Sequence, residues 1–422
     1  MTRGMPERLY YAEPFRTSFE AHVSDIRQIS HSRGQMVWQV ALDRTAFYPT
    51  GGGQPHDTGT LTAQAPSGVT LQAPIVDVVE DEAGEIWHTT AKPLLAGTAV
   101  RGEIGLARRH DHMQQHSGQH LLSAVFLREI GTATVSFHLG EAASTIDLAV
   151  GSISAGEQEQ VEEAVNNILA EDRPISMRTV DRKEAEALLA AGELRKLPPR
   201  ERTIRLIEIA DLDLNACGGT HLRATGQIGG LLLRGTERVK QGLRVEFVCG
   251  LRAIRAARTD RMLLTRAVAL LSVGRDQAPD AIERLLAENK AGNKEKQRLQ
   301  EALAGSEAGR LLLETAIENG RRLVSRRLSD GDAGYLKLLA SRLAMAPQTC
   351  ALLALQTEDP APLVLSANGE LALDCGALLR EALGHFGARG GGSAGIAQGR
   401  IPRADLDALF SRLETVLRRR EG

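Results

Sequence analysis

With 422 residues, the chain is long enough for roughly two to four domains with cores of their own. A formal net charge of −2 leaves no global basic field, so any contact with nucleic acid has to be local, and an aromatic content of 3% argues against a stacking platform for single-stranded bases. The N-terminus lacks an apolar leader, no apolar run is long enough to span a bilayer, and Cys217, Cys249, Cys350 and Cys375 show no paired spacing, which points to a soluble, cytoplasmic protein with reduced thiols.

Residues 1–100 alternate short β-like runs (Met36–Leu42, Val69–Leu71, Ile75–Val79) with Gly and Pro turns, and read as a small β-rich, barrel-like domain ending near Pro93 and Gly97. From Arg108 to Ile130 the pattern turns helical. A strand pair follows at Thr134–Leu139 and Ser144–Val150, then a helix opened by Ser154, with Glu157 at capping-box spacing. Further strands are expected at Ile204–Ile209, Leu231–Arg234 and Arg244–Val248, which makes 101–250 an α+β domain. Over 251–328 apolar residues such as Leu263, Leu264, Ala267, Leu270 and Leu271 recur at helical spacing. Asn289, Gly292, Asn293 and Lys296 interrupt any heptad, so this stretch reads as a helical connector rather than a coiled coil. The last part, 329–422, is α/β: a helix over Tyr335–Ala344, strands at Cys350–Leu355 and Leu363–Leu365, a helix over Cys375–Leu383, then a glycine-rich run, Gly387–Gly399. That run suits either a flexible loop or backbone amides approaching a phosphate. The fold class expected for the whole is α+β.

Two donor pairs carry the chemistry. His116-Ser-Gly-Gln-His120 places two imidazoles four apart, on one face of a helix. By itself this pair suits a ligand or a packed core histidine equally well. Ninety-seven residues downstream of His120, Cys217-Gly-Gly-Thr-His221 repeats the spacing around a tight glycine turn that a buried structural cysteine does not require. Together His116, His120, Cys217 and His221 read as one zinc site. Spacing does not decide whether four closed ligands make it structural or three ligands and an open position make it catalytic. His221, on its glycine turn, is the ligand expected to let go first and move between metal and substrate water. Local arginine density occurs at Arg195, Lys196, Arg200, Arg202 and Arg205, at Arg234, Arg238, Lys240 and Arg244, and at Arg252, Arg255, Arg258 and Arg261; such runs suit solvated faces or phosphate contacts.

Four segments together resemble the long-form trans-editing alanyl-tRNA deacylases, free-standing relatives of the editing half of alanyl-tRNA synthetase. They are Leu42-Asp-Arg-Thr-Ala-Phe-Tyr-Pro-Thr-Gly-Gly-Gly-Gln-Pro-His-Asp-Thr-Gly59, Met113-Gln-Gln-His-Ser-Gly-Gln-His-Leu-Leu-Ser123, Asn215-Ala-Cys-Gly-Gly-Thr-His221, and Gly390-Gly-Gly-Ser with Ala397-Gln398, the last similar to a DHH-associated domain. The two donor pairs are shared with threonyl-tRNA synthetase editing domains, whereas the Phe47-to-Pro55 segment favours the alanyl branch. The resemblance implies zinc-dependent hydrolysis, in trans, of tRNA(Ala) mischarged with serine or glycine, sparing Ala-tRNA(Ala). It also implies tRNA binding and a homodimer through the C-terminal region. With the glycine-rich segment starting by residue 42, no aminoacylation core is expected. The order Arg109-His-Asp-His112 does not match the Asp-His-His triad of related phosphoesterases, and Ser393 departs from the usual glycine-loop pattern.

On that reading His221, Gln54 and Thr45 act on the substrate. Gln54 and Thr45 have the chemistry to hold a serine hydroxyl, with backbone satisfaction and turn capping as their alternative uses. His112, one turn before His116, is a candidate proton acceptor. Arg321, Arg322, Arg326 and Arg327, expected on one or two helical turns, and Arg418 to Arg420 are further candidates for RNA contact. Editing of Ser-tRNA(Thr), and a non-catalytic tRNA-binding module with structural zinc, are the alternative functions.

Overall fold

A computed structural model describes residues 5–30, 36–64, 68–198, 203–240 and 242–418. It is a mixed α/β structure with several sheets, and its contacts divide it into residues 1–266 and 267–422.

The first unit begins with a seven-stranded sheet. Its strands are β1 (Ser18–Ser30), β2 (Met36–Leu42), β3 (Gly59–Gln64), β4 (Thr70–Ile75), β5 (Asp77–Glu80), β6 (Ile86–Thr90) and β7 (Ala99–Ile104), in the spatial order β4-β3-β7-β1-β2-β6-β5. Alternation is plain in the sequence of β7, where Val100, Gly102 and Ile104 face inward between exposed neighbours. Barrel closure, expected above, does not occur. β4 and β5 remain the edges of the sheet, and the long β1 changes partner along its length: Ser18–His22 pair with β7, and from Val23 onward, across a bulge at Val23/Asp25, it pairs with β2.

From Leu106 to Ile130 the chain forms α1, and nearly every side chain between Arg109 and Phe126 is buried. A helix apolar on one face only would stay at the surface, whereas this one runs through the interior. Met113, Leu121, Leu122, Val125 and Phe126 are fully buried or nearly so, each contributing about 1.5–3 kcal/mol. Around it lie the hairpin β8 (Thr134–Leu139) and β9 (Ser144–Leu148), helix α2 (Ala155–Ala170), and β10 (Ile175–Asp181) followed by helix α3 (Arg182–Ala190). The capping box of Ser154 and Glu157 forms as expected. β11 (Thr203–Ile209) and β12 (Asp213–Ala216) complete a three-stranded sheet with β10, while β13 (Leu231–Val239) and β14 (Gly242–Cys249) complete a four-stranded sheet ordered β8-β9-β14-β13. Helix α4 (Leu251–Leu271) then leaves the last strand.

The second unit contains the long helix α5 (Ala278–Glu314) and a five-stranded sheet ordered β15-β16-β17-β19-β18, from β15 (Arg322–Leu328), β16 (Thr349–Leu355), β17 (Ala361–Ala367), β18 (Gly390–Gly392) and β19 (Ile396–Ile401). Its interior strand β16 is buried on both faces. Leu352 and Ala354 face helices α7 (Cys375–Gly384) and α8 (Leu406–Arg418), whereas Leu353 and Leu355 face α5 and α6 (Ala333–Ala344). Two expectations are corrected here. Arg322, Arg326 and Arg327 lie on strand β15, not on helical turns, because parallel pairing with β16 fixes the segment as extended. The glycine-rich run is a hairpin rather than a loop, with Gly390 opposite Gly399. Arg200, Arg202, Arg419 and Arg420 lie outside the described residues. Among the described residues no helix is long and apolar enough to cross a membrane.

Candidate metal centre

The central helix α1 presents His116 and His120 on one face, and the turn after β12 carries Cys217 and His221. One ligand atom from each lies within 4.8 Å of all the others. Zinc at about 2.3 Å from sulfur and 2.0–2.1 Å from nitrogen in a tetrahedron holds those two atoms about 3.5 Å apart. Here Cys217 Sγ is 3.4 Å from His116 Nε2 and 3.3 Å from His221 Nε2. The donor set and its spacing therefore fit a zinc ion.

The outer nitrogens support the same arrangement. His116 Nδ1 donates to Gln54 Oε1 at 2.9 Å. His221 Nδ1 lies 3.3 Å from Ser117 Oγ, and His120 Nδ1 lies 3.4 Å from the Asn215 amide and 3.8 Å from the Asp213 carboxylate. Each imidazole is thus held from behind, which leaves Nε2 turned to the cluster. Asp213 is itself held by Arg195 and Asn215. Arg205 donates to the carbonyls of Cys217 (3.0 Å) and Gly219 (2.6 Å) and stacks over Tyr11, bracing the turn. Glycine at 219 is a steric requirement, since a Cβ there would stand 2.1 Å from His116 Cε1.

Charge follows from this packing. Burial pushes the Cys217 thiol up, but the neighbouring His116 and the hydrogen bonds to His116 and His120 outweigh it and hold the thiol well below its ordinary value. Burial dominates at His221 and pushes it down to about 3, so it is a neutral imidazole, the form that binds metal.

The residues singled out for substrate are placed differently. Gln54, in the glycine-rich turn, is 1% exposed, and both ends of its amide are engaged: Oε1 also accepts from the Thr220 amide at 3.0 Å, and Nε2 donates to Thr220 Oγ1 at 2.9 Å. Thr45 lies in the core of the first sheet, where its hydroxyl pairs with His88 Nε2 at 2.8 Å and accepts from the Phe47 amide. Among the described residues no hydrogen bond joins Thr45 to the four donors. His112 is buried on α1, pushed down to about 4 by burial and by Arg108, and its Nδ1 has no hydrogen-bond partner. Arg205, counted in a basic run, serves the turn, and Arg244, Arg234 and Arg252 pair with Asp147, Asp260 and Asp111. Ser117, Thr220, Asp213 and Arg205 were not legible as part of the site, although Ser117 and Thr220 lie inside the two donor motifs.

A further contact ties the glycine-rich segment to α1. Buried Arg109 donates to buried Asp57 and to the carbonyls of Pro14 (2.7 Å) and Ala46 (2.6 Å), while the Tyr48 amide donates to Asp57 at 2.7 Å.

Residues 204–245, which contain the Cys217–His221 turn, match the threonyl and alanyl tRNA synthetase second additional domain. The chain is 33% identical to the alanine–tRNA ligase of Natronomonas pharaonis over 97% of its own length and 43% of the relative's. It is 33% identical to that of Methanosarcina mazei (97% and 44%) and 31% identical to that of Pyrococcus abyssi (99% and 44%). The solved C-Ala domain of Aquifex aeolicus alanyl-tRNA synthetase aligns at 19% identity over 25% of this chain and 98% of that one, with a TM-score of 0.23, too low to carry an argument. The chain spans less than half the length of the relatives it matches. It is thus an alanyl-tRNA synthetase-related protein, alike along nearly its whole length and carrying the additional domain that the alanyl and threonyl enzymes share.

Proposed function

We propose that the chain is an aminoacyl-tRNA deacylase that acts in trans on mischarged tRNA(Ala), chiefly Ser-tRNA(Ala) and also Gly-tRNA(Ala), in the cytoplasm. The observation that carries this reading is the gathering of His116, His120, Cys217 and His221 within 4.8 Å, held from behind by polar side chains, in a chain related to alanine–tRNA ligases. Zinc, when bound, supplies polarisation of an ester carbonyl or a water whose pKa is lowered toward about 7. Gln54 orients His116 and fixes Thr220, so its first role is positioning. Departure of His221 from the cluster requires its contact with Ser117 to break, in a turn braced by Arg205 and Gln54. The proposed dimer would use the second unit, supported by the exposed apolar Leu299, Leu303 and Leu313 of α5.

The test is deacylation of Ser-, Gly- and Ala-tRNA(Ala) and of Ser-tRNA(Thr) by the full chain, zinc-loaded and chelator-stripped. The expected result is zinc-dependent loss of serine and glycine from tRNA(Ala), with Ala-tRNA(Ala) spared and activity abolished in His116→Ala and Cys217→Ser. Preference for Ser-tRNA(Thr) would move the substrate to the threonine branch. No hydrolysis at full zinc occupancy would leave a tRNA-binding module with structural zinc. In Gln54→Leu, a changed Ser/Ala ratio at saturating zinc would add contact with the serine hydroxyl to its positioning role.

A further inference from the structure

A cleft of about 960 Å³ opens in the first unit between the early turns of α1, the 140–143 turn, the pair β13–β14 and the start of α4. Of the α1 residues that line it, Ala107, Asp111 and Gln114 stand at i, i+4 and i+7 and form one stripe, about half a turn round the helix from His116 and His120. None of the four metal donors lines the cleft, so it lies apart from the donor cluster.

One end of the cleft is cationic. α1 begins there with no side-chain cap and no acidic residue in its first turn, so its free amide groups present about half a positive charge. Across the cleft α4 runs in the opposite sense. A Cβ on Gly250 would stand 2.3 Å from Gln114 Oε1, and Arg252 bonds Asp111 at 2.6 Å, so each step along α4 leads toward the start of α1. The next turn of α4 carries Arg255 and Ala256. Among the described residues Arg255 makes no ion pair, whereas Arg252 is taken up by Asp111.

The floor differs from the rim. His112 reaches it, only 2% exposed, and its Nδ1 has no hydrogen-bond partner. Leaving a buried polar atom unmet is costly, so an imidazole nitrogen without a partner at the floor of an open cleft marks a place for a ligand's hydrogen-bonding group. Between floor and cationic end the walls are aliphatic, from Ala107, Ala143, Val248 and Ala256, and Leu251, 63% exposed, extends them outward.

These three surfaces select a ligand. An anion suits the cationic end, an apolar body suits the walls, and a hydroxyl, which both donates and accepts, meets the imidazole in either tautomer. Ala107 and His112 are five residues apart, about 7.5 Å along the axis, the reach of one ring with a short acidic arm. Glu141 and Glu246 on the rim oppose a doubly charged phosphate, which leaves a carboxylate as the head. We infer that this cleft binds a small apolar monocarboxylate of the hydroxyaryl-alkanoate class, with its carboxylate between Arg255 and the first turn of α1 and its hydroxyl on His112. The inference goes beyond the deacylase reading and does not depend on it.

The test is isothermal titration of the zinc-loaded full chain with 3-(4-hydroxyphenyl)propionate, 3-phenylpropionate and inorganic phosphate. Wild type, Arg255→Glu, Ala256→Trp and His112→Leu are compared, with zinc content and circular dichroism as folding controls. The expected result is one saturable site per chain for the hydroxylated acid, weakened by about tenfold in Arg255→Glu and blocked in Ala256→Trp. In wild type the hydroxyl improves affinity by about fivefold, and in His112→Leu that advantage disappears while 3-phenylpropionate still binds. Should His112→Leu not fold, the two α4 variants decide. Absence of saturable binding by either carboxylate, or tighter binding of phosphate, overturns the inference. So does carboxylate binding that is unchanged in both α4 variants, which assigns it to the metal instead. Since no ester is hydrolysed in this titration, its failure leaves the deacylase reading standing, and a chain that deacylates nothing can still bind the carboxylate.

Discussion

At Gly219 the chain has no freedom. A Cβ would meet His116 Cε1 at 2.1 Å and Nδ1 at 2.3 Å, so one methyl group displaces either the turn or the imidazole. Gly219→Ala is expected to weaken zinc binding by more than about tenfold, read by competition with a chromophoric chelator. Gln54 and Asp213 act one step further out, through the nitrogens facing away from the cluster. Gln54→Leu and Asp213→Asn are each expected to cost about 10–100-fold in zinc affinity, because the imidazole behind each loses its tautomer-fixing partner. Wild-type affinity in both variants would remove them from the metal's support. The four donors themselves were legible from spacing alone, since i to i+4 on a helix and a glycine turn are local facts. Gln54 was legible as a site residue but not as the support of His116, because it and Thr220 meet across 166 positions and nothing local announces such a pair.

Among the elements, α1 carries the most. It is the shared wall of the donor cluster and of the unit's interior, and Arg109 and Asp57 fasten it to the glycine-rich segment. Removing one member leaves the other buried and uncompensated. Asp57→Ala is therefore expected to destabilise the unit by about 3–5 kcal/mol, seen in urea unfolding, and to loosen the position of Gln54 a few residues away. Arg109 and Asp57 stand 52 positions apart, so local pattern does not reveal their pairing. Helix signals such as the Ser154 capping box were legible because they are short-range. By contrast, the extended state of Arg322–Leu328 depends on a parallel partner 27 positions along, Thr349–Leu355, and local pattern had no access to it. The open first sheet was hidden for the same reason, since closure depends on which edges meet.

At the scale of the molecule, the first unit carries a pH liability in its core. His88, fully buried between Thr45 and the Val40 carbonyl, is pushed by burial from 6.5 down to about 4. Between these values the unfolded chain binds a proton that the native state refuses, so stability rises with pH across the window and is lost as pH falls from about 6.5 toward 4. Moving from pH 7 to pH 5 is expected to cost about 2 kcal/mol through this one group. Urea titrations at the two pH values, with His88→Gln as the comparison, should show a smaller pH-dependent loss in the variant; an identical loss would clear His88.

The donor cluster has one more consequence, which concerns chain connectivity. His120 and Cys217 are ninety-seven positions apart, so an ion held by both closes a long loop without any disulfide, in a chain whose described cysteines are all free thiols. A covalent tie around a loop of that length would withdraw about 4.7 kcal/mol of entropy from the unfolded chain. A reversible tie does so only while the ion is available: at a thousandfold excess over its dissociation constant, native-state binding adds about 4 kcal/mol. The melting temperature of the first unit should then climb with free zinc and fall on chelation, which makes the persistence of the fold itself a readout of metal supply.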